Sequence, residues 1–441
     1  MRIDKISIDH FRCFEHKEIS FHPQFNVIIG ENGLGKTAVV DAIAYLLNPY
    51  RHGLASNGLL EIKQKDIRRV RFGRTEEVSE KDTVLAIEIK DFFTDNERHD
   101  IAWTLQQNIN VSYFYDSQYQ EAQNKVRNII LPKGVSMLKK YPIIAYYPAN
   151  RIAPQTSKIA AEQIAPNGSR FDAYNKALEN NPIDIQLITA RIKTLDYAIY
   201  TKSKYTNDDP SLIGIRAELD AIKQAITHCI PNCKTIDFHS DWNELMIDFG
   251  NNDIKPFSFL SDGFRNMLAI VADIAHRCAR LNPNLNEDIL TETEGIVLID
   301  EIDLHLHPNW QRTIVGNLKR TFPKIQFIVT THSPFIVQSL KKEELINLQE
   351  PVEGLETDLY NLGLEDAAEV MNVEGMPKGI RFMEMVATAE KYYDLIASGE
   401  NGKTKEEIVK LGNKLNELEA IYSDDSAFVA LLRAERKVKK L

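Results

Sequence analysis

Cysteine is scarce. Cys13, Cys229, Cys233 and Cys278 are the only four in 441 residues, which argues against a disulfide framework and predicts a reducing, cytoplasmic setting. Long hydrophobic runs are missing too. No stretch reaches the roughly 18 apolar residues that a membrane helix needs, and the opening MRIDKISIDHFRCF has no apolar segment behind a basic start, so neither a span nor a secretory signal is expected. Positive charge is not in excess. The formal net charge of −10 is the reverse of what a chain coating nucleic acid over its whole surface carries. A local basic groove stays open: Lys63, Lys65, Arg68, Arg69, Arg71 and Arg74 cluster in one stretch, and the segment LLRAERKVKKL repeats the theme. Either run also reads as a solvated charged face. Internal repeats and low-complexity tracts are absent as well.

What is present suits a globular chain. With 43% hydrophobic and 26% charged residues, it can build one large domain with an insertion or two ordinary ones. Residues 2–29 alternate like strands and end in FNVII, an almost wholly apolar run of the kind buried inside a sheet. TAVVDAIAYLL follows at helical spacing. TVLAIEI, IAWTL and VSYFY, within 82–115, read as a small antiparallel sheet, and PIIAYY as another buried strand. Residues 152–232 are helical, with Leu212, Ile215, Leu219, Ile222 and Ile226 on one face. Residues 234–256 read as a hairpin turning at Gly250-Asn251-Asn252-Asp253. From 257 to 335 helix and apolar strand alternate, which is α/β wiring. Beyond 351 the chain is helical again, with Ile408, Leu411, Leu415 and Leu418 forming one stripe.

Four motifs carry chemistry. Gly30-Glu31-Asn32-Gly33-Leu34-Gly35-Lys36-Thr37, with Ala38 behind it, fits G-x-x-x-x-G-K-[ST]. Its glycines let successive N–H groups turn inward into an anion nest at a helix start. Lys36 would reach the β- and γ-phosphates and Thr37 would coordinate Mg²⁺. Ile296-Val297-Leu298-Ile299 is a buried strand that delivers Asp300 and Glu301 at its C-terminal end, where α/β sheets gather ligands. Asp300 would hold the metal through water, and Glu301 would orient or deprotonate the attacking water. His332, in Val329-Thr-Thr-His-Ser-Pro334, could sense the γ-phosphate. Ser261, Asp262 and Gly263 open a helix and form a second anion site. That site lies too far along the chain to crowd its own phosphate loop, so it can cap a phosphate held by another copy.

In this order GENGLGKT, LSDGFR, VLIDE, DLHLHP and VTTHSP resemble the ABC-type ATPases of the SMC, RecF and overcoming-lysogenisation branch, closely over residues 1–50 and 255–340. The resemblance implies an α/β P-loop head with a mixed sheet, a helical insertion and a C-terminal helical region. It implies ATP and Mg²⁺ as cofactors and a homo-oligomer closing around ATP. Residues 1–151 would be the N-terminal lobe, 152–232 the insertion, 233–350 the lobe with signature, Walker B and switch histidine, and 351–441 a partner or oligomer contact. The signature reads LSDG, keeping the serine and glycine that touch phosphate. The D-loop would fall at Leu306-His307-Pro308, and Arg12 matches the N-terminal arginine that approaches nucleotide. The Q-loop residue stays open between Gln64 and Gln155. His228, Cys229, Cys233 and His239 could hold zinc, but Pro231 interrupts poor spacing, and core placement is the simpler expectation.

Length and tail are similar to the ATPases of Septu (PtuA) and related retron antiphage systems. That resemblance implies a separate, PtuB-like HNH nuclease subunit. The chain itself has no D-x-D triad and no HNH-like histidine cluster, so any DNA cutting is expected to come from a partner. A RecF- or SMC-like ATPase that clamps DNA directly, and a nucleotide-locked scaffold with negligible turnover, remain as alternatives.

Overall fold

The computed structural model describes residues 1–54, 60, 62–72, 75–78, 81–93, 98–107, 120–121, 123–124, 140–150, 169–179, 185–203 and 210–349. Beyond them it describes 358–361, 402–421 and a few residues between 367 and 395. The chain divides into two compact units, Met1–Ala367 and Ala368–Leu441.

The first unit opens with β1 (Arg2–Phe11), β2 (Phe14–Ser20) and β3 (Phe25–Ile29), followed by helix α1 (Lys36–Leu54). Strands β4 (Arg69–Phe72) and β5 (Thr75–Val78) form a small hairpin. They precede β6 (Thr83–Phe93), β7 (Arg98–Gln107) and β8 (Ile143–Tyr147). Helices α2 (Ile185–Ser203) and α3 (Pro210–Cys229) come next, then β9 (Thr235–His239), β10 (Glu244–Asp248) and β11 (Ile254–Pro256). The remainder holds α4 (Asp262–Leu281), β12 (Gly295–Ile299), α5 (Pro308–Thr321), β13 (Ile325–Thr330) and β14 (Leu345–Asn347). In the second unit, α6 (Gly402–Ile421) buries Leu415 and Leu418 of the expected stripe.

The expected mixed sheet is divided between two sheets. Five strands in the order β14-β3-β13-β12-β8 are all parallel, and β2-β1-β6-β7 form a separate antiparallel sheet. The inner strands FNVII, IQFIVT and GIVLI are buried at every residue, as strands covered on both faces must be. The antiparallel sheet buries Ile6 and Ile8 of β1 in alternation and Ile3 across a register shift between Ile3 and Lys5, and the Trp103 indole of β7 donates to the Leu46 carbonyl of α1 at 2.8 Å. The expected hairpin at 234–256 is a three-stranded meander, β11-β10-β9. Gly250, Asn251 and Asn252, all at positive φ, turn between its second and third strands, a conformation that glycine and asparagine tolerate. The expected strand at 111–115 lies outside the described residues.

Topology sets the position of the site. Strands β3, β13 and β12 are neighbours and parallel, so the loops leaving their C-terminal ends share one edge of the sheet. Register makes this concrete: Ile299 stands opposite Val329 and Tyr147, and Val329 opposite Val27. Helices α2 and α3 are fixed to α4 by a buried cluster. Arg191 holds Glu218 bidentately at 2.7 Å, and His276 of α4 contacts the same carboxylate at 2.8 Å. Burial would raise the Glu218 pKa, but His276 and Arg191 override it and hold it near about 2.

Candidate nucleotide-binding and hydrolysis site

The phosphate loop runs from the end of β3 into α1. Gly30, Gly33 and Gly35 have φ of 153°, 90° and 94°, angles that side chains rarely adopt. A Cβ on Gly35 would come within 2.4 Å of the Cys13 sulfur and 2.7 Å of the Phe14 ring. The turn between β1 and β2 is therefore a wall of the loop. Lys36 is buried, and its ammonium donates to the carbonyls of Gly30 at 2.6 Å and Glu31 at 3.0 Å. Burial lowers its pKa against the pull of Asp300, Glu301 and Asp303. Those carboxylates are thus close enough to act on the cation that would meet phosphate.

The two residues expected at the metal are brought together across 263 positions of sequence: the Thr37 hydroxyl donates to Asp300 Oδ2 at 2.9 Å. Asp300 is 3% exposed. Its other oxygen, Oδ1, accepts the Thr330 hydroxyl at 2.6 Å, and its amide donates to the Tyr147 carbonyl at 2.9 Å. Glu301 follows with φ of 51°, a left-handed conformation that costs a non-glycine residue about 1 kcal/mol. Its amide is held by the Thr330 hydroxyl oxygen at 2.7 Å. The kink turns the carboxylate-bearing residue out of the strand direction just after Asp300.

The donor set fits a nucleotide with a divalent cation. Thr37 and Asp300 are hard oxygen ligands side by side at the mouth of a glycine loop, and magnesium takes one or two such ligands together with phosphate oxygens. Lys36, the loop amides at the start of α1, and the helix dipole suit polyphosphate.

The switch segment and the D-loop are laced together. His332 is exposed, and its amide lies 3.4 Å from Asp303 Oδ1, which also accepts the Thr331 hydroxyl at 2.6 Å. Gln311 of α5 accepts the Ser333 hydroxyl at 2.6 Å and donates to the Leu306 carbonyl at 2.8 Å. Sequence reading gave no role to Gln311, Asp303 and Thr330. Asp303 and Thr330 stand inside DLHLHP and VTTHSP, and Gln311 stands in no motif; only the fold shows what each one holds.

At the signature, Ser261 caps α4 by accepting the Phe264 amide at 3.4 Å. Asp262 pairs with Arg265 on the same helix. Ser261 and Asp262 are exposed while Gly263 is buried, because a Cβ there would lie 2.0 Å from the His305 carbonyl oxygen. The signature helix thus sits directly on the D-loop backbone.

Arg12 is held by carboxylates. It has φ of 48° and binds Asp66 at 2.7 Å and Asp41 at 2.7 Å. Burial acts against the cation, yet Asp41 and Asp66 raise its pKa. Asp66 is fully buried and also takes the Tyr45 hydroxyl at 2.9 Å. Arg12 therefore clamps the β1–β2 turn to α1 and to the turn carrying Gln64. Gln64 itself is exposed, and Gln155 lies outside the described residues. Cys229 and Cys233 are buried, the former donating to Thr321, and burial raises their thiols to about 12 and about 11. Those are core thiols. Among the described residues no helix is long and apolar enough to cross a membrane.

Residues 2–354 match the family model of the RecF/RecN/SMC N-terminal domain. The chain belongs to that family. A retron Vc95 probable ATPase of Vibrio cholerae serotype O1 biovar El Tor is 26% identical, covering 92% of this chain and 86% of its own. A Septu protein PtuA of Bacillus mycoides is 27% identical over 95% of this chain, which spans 51% of that protein. Among solved structures, the Pyrococcus furiosus Smc head domain, bound to the C-terminal domain of ScpA, aligns over 84% of this chain and 98% of that one. Its TM-score is 0.46 at 16% identity.

Proposed function

We propose that this member of the family binds ATP with Mg²⁺ at Gly30–Ala38, dimerises around it and hydrolyses it slowly, and thereby regulates a separate nuclease subunit in antiphage defence. One observation carries the reading. The Lys36, Thr37–Asp300 and Glu301 groups gather at one sheet edge, while Ser261 and Asp262 stand exposed at the start of another helix. Each copy then supplies both a phosphate grip and a cap, and the cap completes the grip of a second copy.

Lys36 and the loop amides bind the β- and γ-phosphates and stabilise the charge that develops on them. Mg²⁺ held by Thr37 and Asp300 would neutralise phosphate charge. Glu301 orients a water for in-line attack and takes its proton as the bond from the γ-phosphorus to the bridging oxygen breaks, leaving ADP and phosphate. His332 donates to the γ-phosphate. The Asp303 and Gln311 contacts pass its position to the D-loop. The relation to retron and Septu proteins supports a defence role, with an HNH-type nuclease as the partner that the chain's own residues do not replace.

Glu301→Gln tests this. The variant is expected to bind ATP with unchanged affinity, lose hydrolysis by about 100-fold or more, and accumulate as a dimer when sized in ATP and Mg²⁺. A variant that stays monomeric in ATP, or turns over as fast as wild type, would refute the proposal.

A further inference from the structure

The reaction described above needs Glu301 to face the γ-phosphate while Asp300, one residue earlier, faces the metal. Adjacent residues on a strand point to opposite faces, so ordinary extended backbone cannot bring both carboxylates to one side. The chain solves this with the left-handed Glu301, at φ of 51°. Something must hold that conformation against its relaxation.

We infer that Thr330 is a positioning residue for hydrolysis, its hydroxyl tying the metal-holding carboxylate of Asp300 to the backbone of Glu301. The inference rests on the ATPase reading and deepens it. Thr330 ends β13 and is fully buried. A hydroxyl has one proton and two lone pairs, and both functions are used in one direction. The proton goes to Asp300 Oδ1 at 2.6 Å, and a lone pair takes the Glu301 N–H at 2.7 Å. The first bond fixes the carboxylate plane, so that Oδ2 faces the Thr37 hydroxyl at 2.9 Å. The second pins the amide of the left-handed residue. The Thr330 carbonyl adds a third hold, accepting the Ile302 amide at 3.0 Å. His332 follows the end of β13 by two residues, so the strand end that positions Glu301 also leads into the switch segment.

Valine is nearly isosteric with threonine and lacks both hydrogen-bonding functions. Thr330→Val is expected to bind ATP within about threefold of wild type while kcat falls about 10- to 100-fold, the scale of a catalytic group displaced by an ångström. KM should change far less than kcat. Thr330→Ser restores the hydroxyl and should return kcat to within about threefold of wild type. Thr330→Cys, whose thiol is only a weak hydrogen bonder, should be slowed relative to the serine variant of the same unbranched shape, and it keeps the test available should valine fail to fold. The distinguishing measurement is the double variant. If Thr330 acts through Glu301, Thr330→Val in the Glu301→Gln background should cause no further loss, since two members of one unit are not additive. Single-turnover hydrolysis of radiolabelled ATP by the full chain gives all these rates. A Thr330→Val enzyme with wild-type kcat, a serine variant as slow as valine, or a further loss in the double variant would overturn this inference while leaving the ATPase reading intact. If Glu301→Gln itself hydrolyses ATP at the wild-type rate, both fall together.

Discussion

Gly263→Ala asks whether the signature helix is bound to the D-loop as closely as the backbone geometry requires. The added Cβ would stand 2.0 Å from the His305 carbonyl oxygen, 2.7 Å from the carbonyl carbon and 3.2 Å from the Leu306 nitrogen. All three are main-chain atoms of a turn whose next residue, His307, caps α5. No flexible side-chain tip can move aside. Restoring ordinary contact distance requires the two backbones to part by roughly 1.3 Å or more. Alanine gains up to about 1 kcal/mol in a helix over glycine, but forced overpacking costs about 1–3 kcal/mol and more against rigid backbone. We expect a net loss of about 1–2 kcal/mol and, in a unit of this size, a Tm lower by about 1–3 °C. The functional effect should exceed the thermal one. Parting the helix from the D-loop displaces Ser261, so ATP-dependent dimerisation of the Glu301→Gln protein should weaken by tenfold or more, in line with about 1.4 kcal/mol per decade. Gly316→Ala is the internal control: it lies in α5, with nothing within 4 Å of the added carbon, and should be neutral or slightly stabilising. Scanning calorimetry and sizing in ATP measure both effects. A Gly263→Ala protein that melts and dimerises like wild type would refute the close contact and the coupling drawn from it.

Lys36→Ala should abolish measurable ATP affinity, a loss of about 100-fold or more if the charged hydrogen bonds to phosphate contribute about 3 kcal/mol; a calorimetric titration with undiminished affinity would contradict it. Glu218 makes a pH prediction. Its folded pKa of about 2 lies below the ordinary value of 4.5, so it contributes stability above pH 4.5 that is lost as pH falls from 4.5 towards 2, of order 3 kcal/mol in total. Glu218→Gln should flatten that acid limb in urea titrations relative to wild type, and an unchanged limb would sink the assignment. Arg191→Met removes the bidentate partner of the buried Glu218 charge, leaving the His276 hydrogen bond and the more distant Arg280, and should cost about 3–5 kcal/mol; a urea midpoint within error of wild type would contradict it.

The phosphate loop, the Asp300-Glu301 pair and the switch segment could be read from the chain because each follows a short, largely apolar run. Such runs bury themselves in a parallel sheet whatever their neighbours do, and the residues after them must emerge at its C-terminal edge. The Arg12 motif gave the residue but not its company. Its partners Asp41 and Asp66 lie 29 and 54 positions away, and an arginine facing phosphate and one clamped by carboxylates share the same local sequence. The hairpin expected at 234–256 became a meander because IKP is too short and too polar to register as a strand until β10 supplies its hydrogen bonds.

Local pattern alone determined the buried core strands, most helices, and where anion-binding turns must follow, since periodicity and glycine freedom act over a few residues. Strand order, the pairing of Thr37 with Asp300, the left-handed Glu301 held by Thr330, and the seating of Gly263 on the D-loop arose only with the tertiary structure. Each joins groups from distant parts of the chain, and their hydrogen bonds and close contacts form only when packing brings those parts together.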